Sequence, residues 1–67
     1  MLVRGCVYGA WWRLEAELGE QAPSLEWCAA TFEPIKRQAP APGPGLLEWT
    51  LAELRRRWLE AEPALEG

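Results

Sequence analysis

The segment APAPGPG, residues 39–45, constrains the fold more than any other part of the chain. Three prolines and two glycines alternate with alanine there, and each proline removes a backbone donor that a helix or a central strand needs. We therefore predict a semi-rigid, extended connector that spans about 20 Å, at about 3.1 Å per residue. Its prolines never fall three residues apart, so the segment lacks PxxP spacing and is interpreted as a spacer.

A first helix is predicted before this connector, over about residues 6–18. Apolar residues recur there at three- and four-residue steps as far as Leu18, and Gly19 supplies a stop signal. The beginning of the segment has two interpretations. Residues 2–9, LVRGCVYG, contain two glycines among β-branched and aromatic residues, so a short extended N-terminal strand is the alternative to a helix.

A second helix is predicted over about residues 24–33. Ser24 is a candidate N-cap, and Glu26 suits the positive end of the helix dipole. Pro34 disfavours helical geometry in the residue before it, so we expect the helix to end by Glu33. Cys28 and Phe32, four residues apart, share the predicted buried face of this helix.

A third helix is predicted after the connector, and its start has two interpretations. Thr50 and Glu53 have the spacing of a capping box, in which each side chain reaches the other residue's backbone N–H. Trp49 and Leu54 would then form the accompanying hydrophobic staple. The alternative is a start at Leu46, because helical spacing of apolar residues already holds from there.

These elements predict an all-α fold, a small three-helix domain with a helical hairpin and a third helix over about residues 47–62. A chain of 67 residues forms one domain and buries only about 60% of the surface that it exposes when unfolded. Such a domain is marginally stable unless something adds to its core. In a reducing compartment Cys6 and Cys28 are interpreted as buried thiols, and a disulfide between them is the alternative.

Composition argues against catalysis and against several classes of partner. Histidine and aspartate are absent, and no Gly-rich phosphate loop or metal-binding pair stands out, so we predict no enzyme activity, no catalytic residue, no metal and no cofactor. A net charge of −3 disfavours nucleic acid and anionic membranes as partners, because both attract basic proteins. The N-terminus has no apolar run long enough for a signal peptide or a spanning helix, and we expect a cytoplasmic protein.

The basic run Arg55 to Arg57 is interpreted as a solvated helix face. On a helix the three residues fan out over about 200°, and Glu53–Arg57 and Arg56–Glu60 have ion-pair spacing. A nucleic-acid-binding regulator is a second alternative for the function of the protein, behind those given below. It would use the four basic side chains Arg55, Arg56, Lys36 and Arg37.

Five tryptophans in so short a chain need an explanation. Trp11 and Trp58 fall on the apolar stripes of their helices and are predicted to lie in the core. Several other large apolar residues fall off those stripes, where a three-helix monomer has little with which to cover them. Large aromatics outside a small core are typical of an interface. The predicted partner-binding residues are Tyr8, Trp12, Trp27, Trp49 and Leu59.

The function predicted from the sequence is a non-catalytic protein–protein interaction module. Its partner would be a second copy in a homo-oligomer, or a larger assembly of which the chain is an accessory subunit. An alternative is a carrier of a small apolar ligand, bound between the helices by Trp11, Phe32 and Trp58.

Overall fold

Three α-helices form the domain in a computed structural model that describes the backbone of residues 2–66 and the side chains of residues 5–61. Helix α1 is Leu2–Leu18, α2 is Leu25–Ile35 and α3 is Pro44–Glu66. Short 3₁₀ turns follow the first two helices, at Gly19–Gln21 and Lys36–Gln38. The prediction of a small all-α three-helix domain is confirmed.

Helix α1 begins at Leu2, so the helical interpretation of residues 2–9 is correct and the extended one is wrong. Burial explains this choice, because Cys6, Val7 and Ala10 all turn inward from the helical segment. Gly9 allows α3 to come close: a Cβ atom built on it would lie 3.1 Å from Cδ1 of Leu47. The helix ends where Gly19 takes a φ of 60°, a left-handed conformation that favours glycine.

Helix α2 begins as predicted and ends later than predicted. The Ser24 hydroxyl accepts a hydrogen bond from the backbone N–H of Trp27 at 3.1 Å, which confirms the N-cap. Pro34 lies inside the helix, which continues to Ile35 and does not stop at Glu33. A proline in the last turn forfeits a single intrahelical hydrogen bond. Burial of Ile35 against the core accompanies that extension.

Helix α3 begins at Pro44, so the predicted capping box is wrong. A proline is well suited to the first helical position, where its missing N–H would have no intrahelical partner. Thr50 is therefore the seventh residue of the helix and is fully buried, so it is not the N-cap. Trp49 likewise lies inside the helix and does not form the predicted hydrophobic staple. The connector outside the helices is correspondingly shorter than residues 39–45. The helix runs to Glu66, four residues beyond its predicted end at residue 62.

The core lies where the three helices meet, and α1 packs along both of the others. Helix α3 is the longest element, at about 35 Å for 23 residues, and it accounts for the 37 Å longest dimension of the domain. The buried apolar cluster comprises Val7, Ala10 and Leu14 of α1, Cys28, Phe32 and Ile35 of α2, and Leu51 and Leu54 of α3.

Both cysteines are free thiols buried in different surroundings, so the disulfide alternative is wrong. Cys28 lies in the apolar core. The Sγ atom of Cys6 lies 2.6 Å from Oγ1 of Thr50, whose hydroxyl donates to the carbonyl of Leu46 at 2.8 Å. This buried polar chain joins α1 to the first turns of α3. Within residues 2–66, no helix has both the length and the apolar character that crossing a membrane requires.

Candidate protein-contact surface

The outer face of α1 carries a continuous patch of large side chains, which we call the α1 aromatic surface: Tyr8, Trp11, Trp12 and Glu15. Their spacing of three, four and seven residues from Tyr8 places all four on one side of the helix. Tyr8 is 52% exposed and Trp12 is 63% exposed, which are the two largest values among the big hydrophobic residues of the described part. Both were predicted to face away from the core.

Neighbouring aromatic rings of this surface contact each other edge to face. The Tyr8 and Trp11 ring centroids lie 5.4 Å apart with a 77° interplanar angle, and those of Trp11 and Trp12 lie 6.1 Å apart at 74°. Edge-to-face contacts of this kind add about 0.5–1.5 kcal/mol beyond simple burial. Trp11 is thus the fixed centre of the patch, because it packs against the core beneath while Tyr8 and Trp12 flank it.

A shallow groove of about 300 Å³ lies on this surface and is lined by Trp11, Trp12, Glu15 and Ala16. That volume is at the lower limit of small-molecule sites, so the groove suits one side chain better than a large ligand. The groove contains one ionisable group, the exposed carboxylate of Glu15. Glu15 forms no ion pair with any residue whose side chain is described.

Trp11 was predicted to be a core residue, and the structure gives it a second role. It is half-buried, packs on the core and also lines the groove. Its indole N–H is buried without a hydrogen-bond partner, a situation that costs about 1–3 kcal/mol. Neither Trp11 nor Glu15 was predicted to belong to the contact surface. The spacing of Tyr8, Trp11, Trp12 and Glu15 was the signal that could have identified them.

Two of the predicted partner-binding tryptophans are covered by the chain itself. Trp27 packs edge-to-face on Trp58, with centroids 4.9 Å apart, and Trp49 packs in the same way on Phe32 at 6.4 Å. Both are half-buried against the core, so they offer a partner less surface than their off-stripe positions suggested. Their role in partner binding stays a prediction.

Leu59, the fifth predicted contact, is 43% exposed on α3 and lies on a different helix from the α1 aromatic surface. Its neighbour Trp58 was predicted to be core and is half-buried. The Nε1 atom of Trp58 donates to the carbonyl oxygen of Gln21 at 2.8 Å. Trp58 therefore acts as a contact between α3 and the turn that follows α1.

The three residues proposed to line a ligand site lie in three separate aromatic clusters. Trp11 contacts Tyr8 and Trp12, whereas Phe32 contacts Trp49 and Trp58 contacts Trp27. Of the three, only Trp11 lines the groove on α1. The structure thus does not gather Trp11, Phe32 and Trp58 around the described groove.

Arginine side chains of α3 are used in ion pairs within the chain. Arg57 and Arg56 pair with Glu53 at 3.3 and 2.8 Å, and Arg56 also pairs with Glu60 at 3.5 Å, which confirms the two predicted i,i+4 pairs. Hydrogen bonding to Glu53 raises the pKa of Arg56 above its usual value. Arg55 makes a two-pronged contact with Glu17 of α1, at 3.0 and 2.9 Å.

Lys36 pairs with Glu33 at 3.1 Å, so three of the four basic residues of the nucleic-acid hypothesis are partnered. Only Arg37 of that set lacks an ion pair with a described side chain. Phosphate contacts would have to compete with these carboxylates.

No protein-family model matches the chain. Comparison with curated proteins likewise gives no match, and neither does comparison with solved structures.

Proposed function

We propose that this protein is a small, non-catalytic protein-interaction module that binds its partner through the α1 aromatic surface. The observation that carries the proposal is the exposure of Trp12 and Tyr8, which lie side by side on one helix face. Tryptophan and tyrosine are among the side chains enriched in residues that dominate binding energy at protein interfaces. A small domain gains nothing in its own stability from leaving such large apolar surfaces in water.

The rigidity of the surface supports the same proposal. Trp11 packs against the core and contacts Tyr8 and Trp12 edge to face, so a partner would meet side chains that are already positioned. Preorganised side chains lose less conformational entropy on binding. The partner is a second copy or a subunit of a larger assembly. Since two aromatic side chains provide well under the roughly 800 Å² per partner of a standard interface, other residues complete the contact.

The test compares the same substitution at two tryptophans. Trp12→Ala should remove the complex seen by native mass spectrometry of protein purified gently from its own host. It should lower the unfolding temperature only slightly, because Trp12 is exposed and loses only its edge-to-face contact with Trp11. Trp27→Ala should instead lower the unfolding temperature, because Trp27 packs on Trp58 and the core.

A complex whose mass is unaffected by Trp12→Ala, or a wild-type protein that is monomeric in every preparation, would contradict the proposal.

A further inference from the structure

We infer that the groove on α1 receives an arginine side chain of the partner protein, held between the indole of Trp12 and the carboxylate of Glu15. This inference rests on the proposed function and names the chemistry that the partner must bring. Glu15 is the one ionisable group that lines the groove, and its carboxylate supplies the negative charge that an arginine requires. No described basic side chain forms an ion pair with this carboxylate.

The walls of the groove favour a cation as well as an apolar group. Trp11 and Trp12 line it with ring planes 74° apart, and the Trp12 ring is largely open to solvent. Tryptophan is the best aromatic partner for a cation, because the negative face of its ring attracts positive charge. A carboxylate beside such a face also attracts positive charge, so the two groups favour the same ligand.

Arginine fits this combination better than lysine does. Its guanidinium group is planar and weakly hydrated, so it can stack on an indole while its edge donates hydrogen bonds to a carboxylate. The chain already shows the carboxylate half of this recognition, in the two-pronged contact between Arg55 and Glu17. A groove of about 300 Å³ has room for the guanidinium and part of its aliphatic stem.

Charge complementarity also favours a basic partner segment over a second copy of this chain. The net charge of −3 repels a second copy at long range and attracts a basic segment. Among the described side chains, most arginines are occupied by carboxylates of the chain itself.

The experiment titrates the full-length protein with a blocked peptide, Ala-Ala-Arg-Ala-Ala, and with the same peptide carrying citrulline. Citrulline keeps the shape of arginine and has no charge. The readout is the indole N–H signal of Trp12 in two-dimensional NMR spectra, assigned by its disappearance in Trp12→Leu. We expect saturable shifts with the arginine peptide and an affinity for it about two- to fivefold higher than for the citrulline peptide.

Glu15→Gln should lower the affinity for the arginine peptide about two- to fivefold and leave that for the citrulline peptide unchanged. Glu48→Gln is the matched control, since Glu48 is an exposed carboxylate on α3 outside the groove, and it should change neither affinity. Circular dichroism checks that each variant stays helical. If Trp12→Leu misfolds, Trp12→Phe gives the same assignment, because phenylalanine keeps a ring and has no indole N–H.

Equal affinities for the two peptides, or no shift of the Trp12 signal with the arginine peptide, would overturn the inference. If either result occurs while Trp12→Ala still removes the complex seen by mass spectrometry, the arginine assignment fails and the interaction surface stands. If Trp12→Ala leaves that complex intact, the proposed function itself fails.

Discussion

Trp58 donates its indole N–H to the backbone carbonyl of Gln21 across 37 positions of the chain, at 2.8 Å. The same indole packs on Trp27 of α2, with ring centroids 4.9 Å apart. One side chain of α3 thereby contacts both α2 and the turn that joins α1 to α2. Its position also explains why Trp27 is not left in solvent.

We expect Trp58→Phe to lower the free energy of unfolding by about 1 kcal/mol, because phenylalanine keeps a ring against Trp27 and loses the hydrogen bond. Urea denaturation followed by far-UV circular dichroism measures this loss. Gln21→Ala should have almost no effect, since the acceptor is a backbone carbonyl. A Trp58→Phe protein as stable as the wild type would show that water replaces this hydrogen bond without loss.

The buried contact between Cys6 and Thr50 gives a second prediction. Thr50→Val keeps the side-chain shape and removes the hydroxyl that bridges the Cys6 thiol and the Leu46 carbonyl, so it should cost about 0.5–1.5 kcal/mol. In a Cys6→Ala background the same substitution should cost less, because the thiol that contacts the Thr50 hydroxyl is already gone. A double-mutant cycle measured by urea denaturation gives the coupling, for which we expect about 0.5 kcal/mol. Strict additivity would mean that the two groups do not interact.

Much of the fold is predictable from local signals. Apolar spacing identifies three helices, Ser24 caps α2, Gly19 ends α1, and Glu53 and Arg57 pair across one helical turn. Each of these depends on residues close together in the chain. The exposure of Tyr8 and Trp12 belongs to the same group, because it depends mainly on the periodicity of α1.

The features that were missed depend on contacts between distant parts of the chain. Thr50 has the local spacing of an N-cap, but burial against Cys6 places it inside the helix. Trp27 lies off the stripe of its own helix and is nevertheless covered, because α3 brings Trp58 to it. Periodicity along one helix carries no information about how a second helix crosses it.

Two glycines of α1 give a matched pair of substitutions. A Cβ atom added at Gly5 would meet nothing within 4 Å. Gly5→Ala should therefore raise the free energy of unfolding by about 0.5–1 kcal/mol, because alanine has a higher helix propensity than glycine. Gly9→Ala should gain clearly less, or lose stability, because the new Cβ would lie 3.1 Å from Cδ1 of Leu47. Chemical denaturation of both variants measures the difference. A destabilising Gly5→Ala would argue that residue 5 is not helical.

Cys28 gives a prediction about pH. Burial raises the pKa of its thiol from 9.0 to about 11, so the folded protein retains a proton that the unfolded chain loses more easily. The resulting contribution to stability is fully present below pH 9.0 and disappears as the pH rises through about 11. Cys28→Ala removes this thiol. The free energy of unfolding of the variant should therefore fall less steeply than that of the wild type between pH 9.0 and about pH 11. Urea denaturation of both proteins at several pH values measures the slopes, and Cys28→Ser is a second control that keeps a side chain of similar size without a titrating thiol. Parallel slopes for all three proteins would contradict the prediction, because they would show that the Cys28 thiol has the same pKa in the folded and unfolded chain.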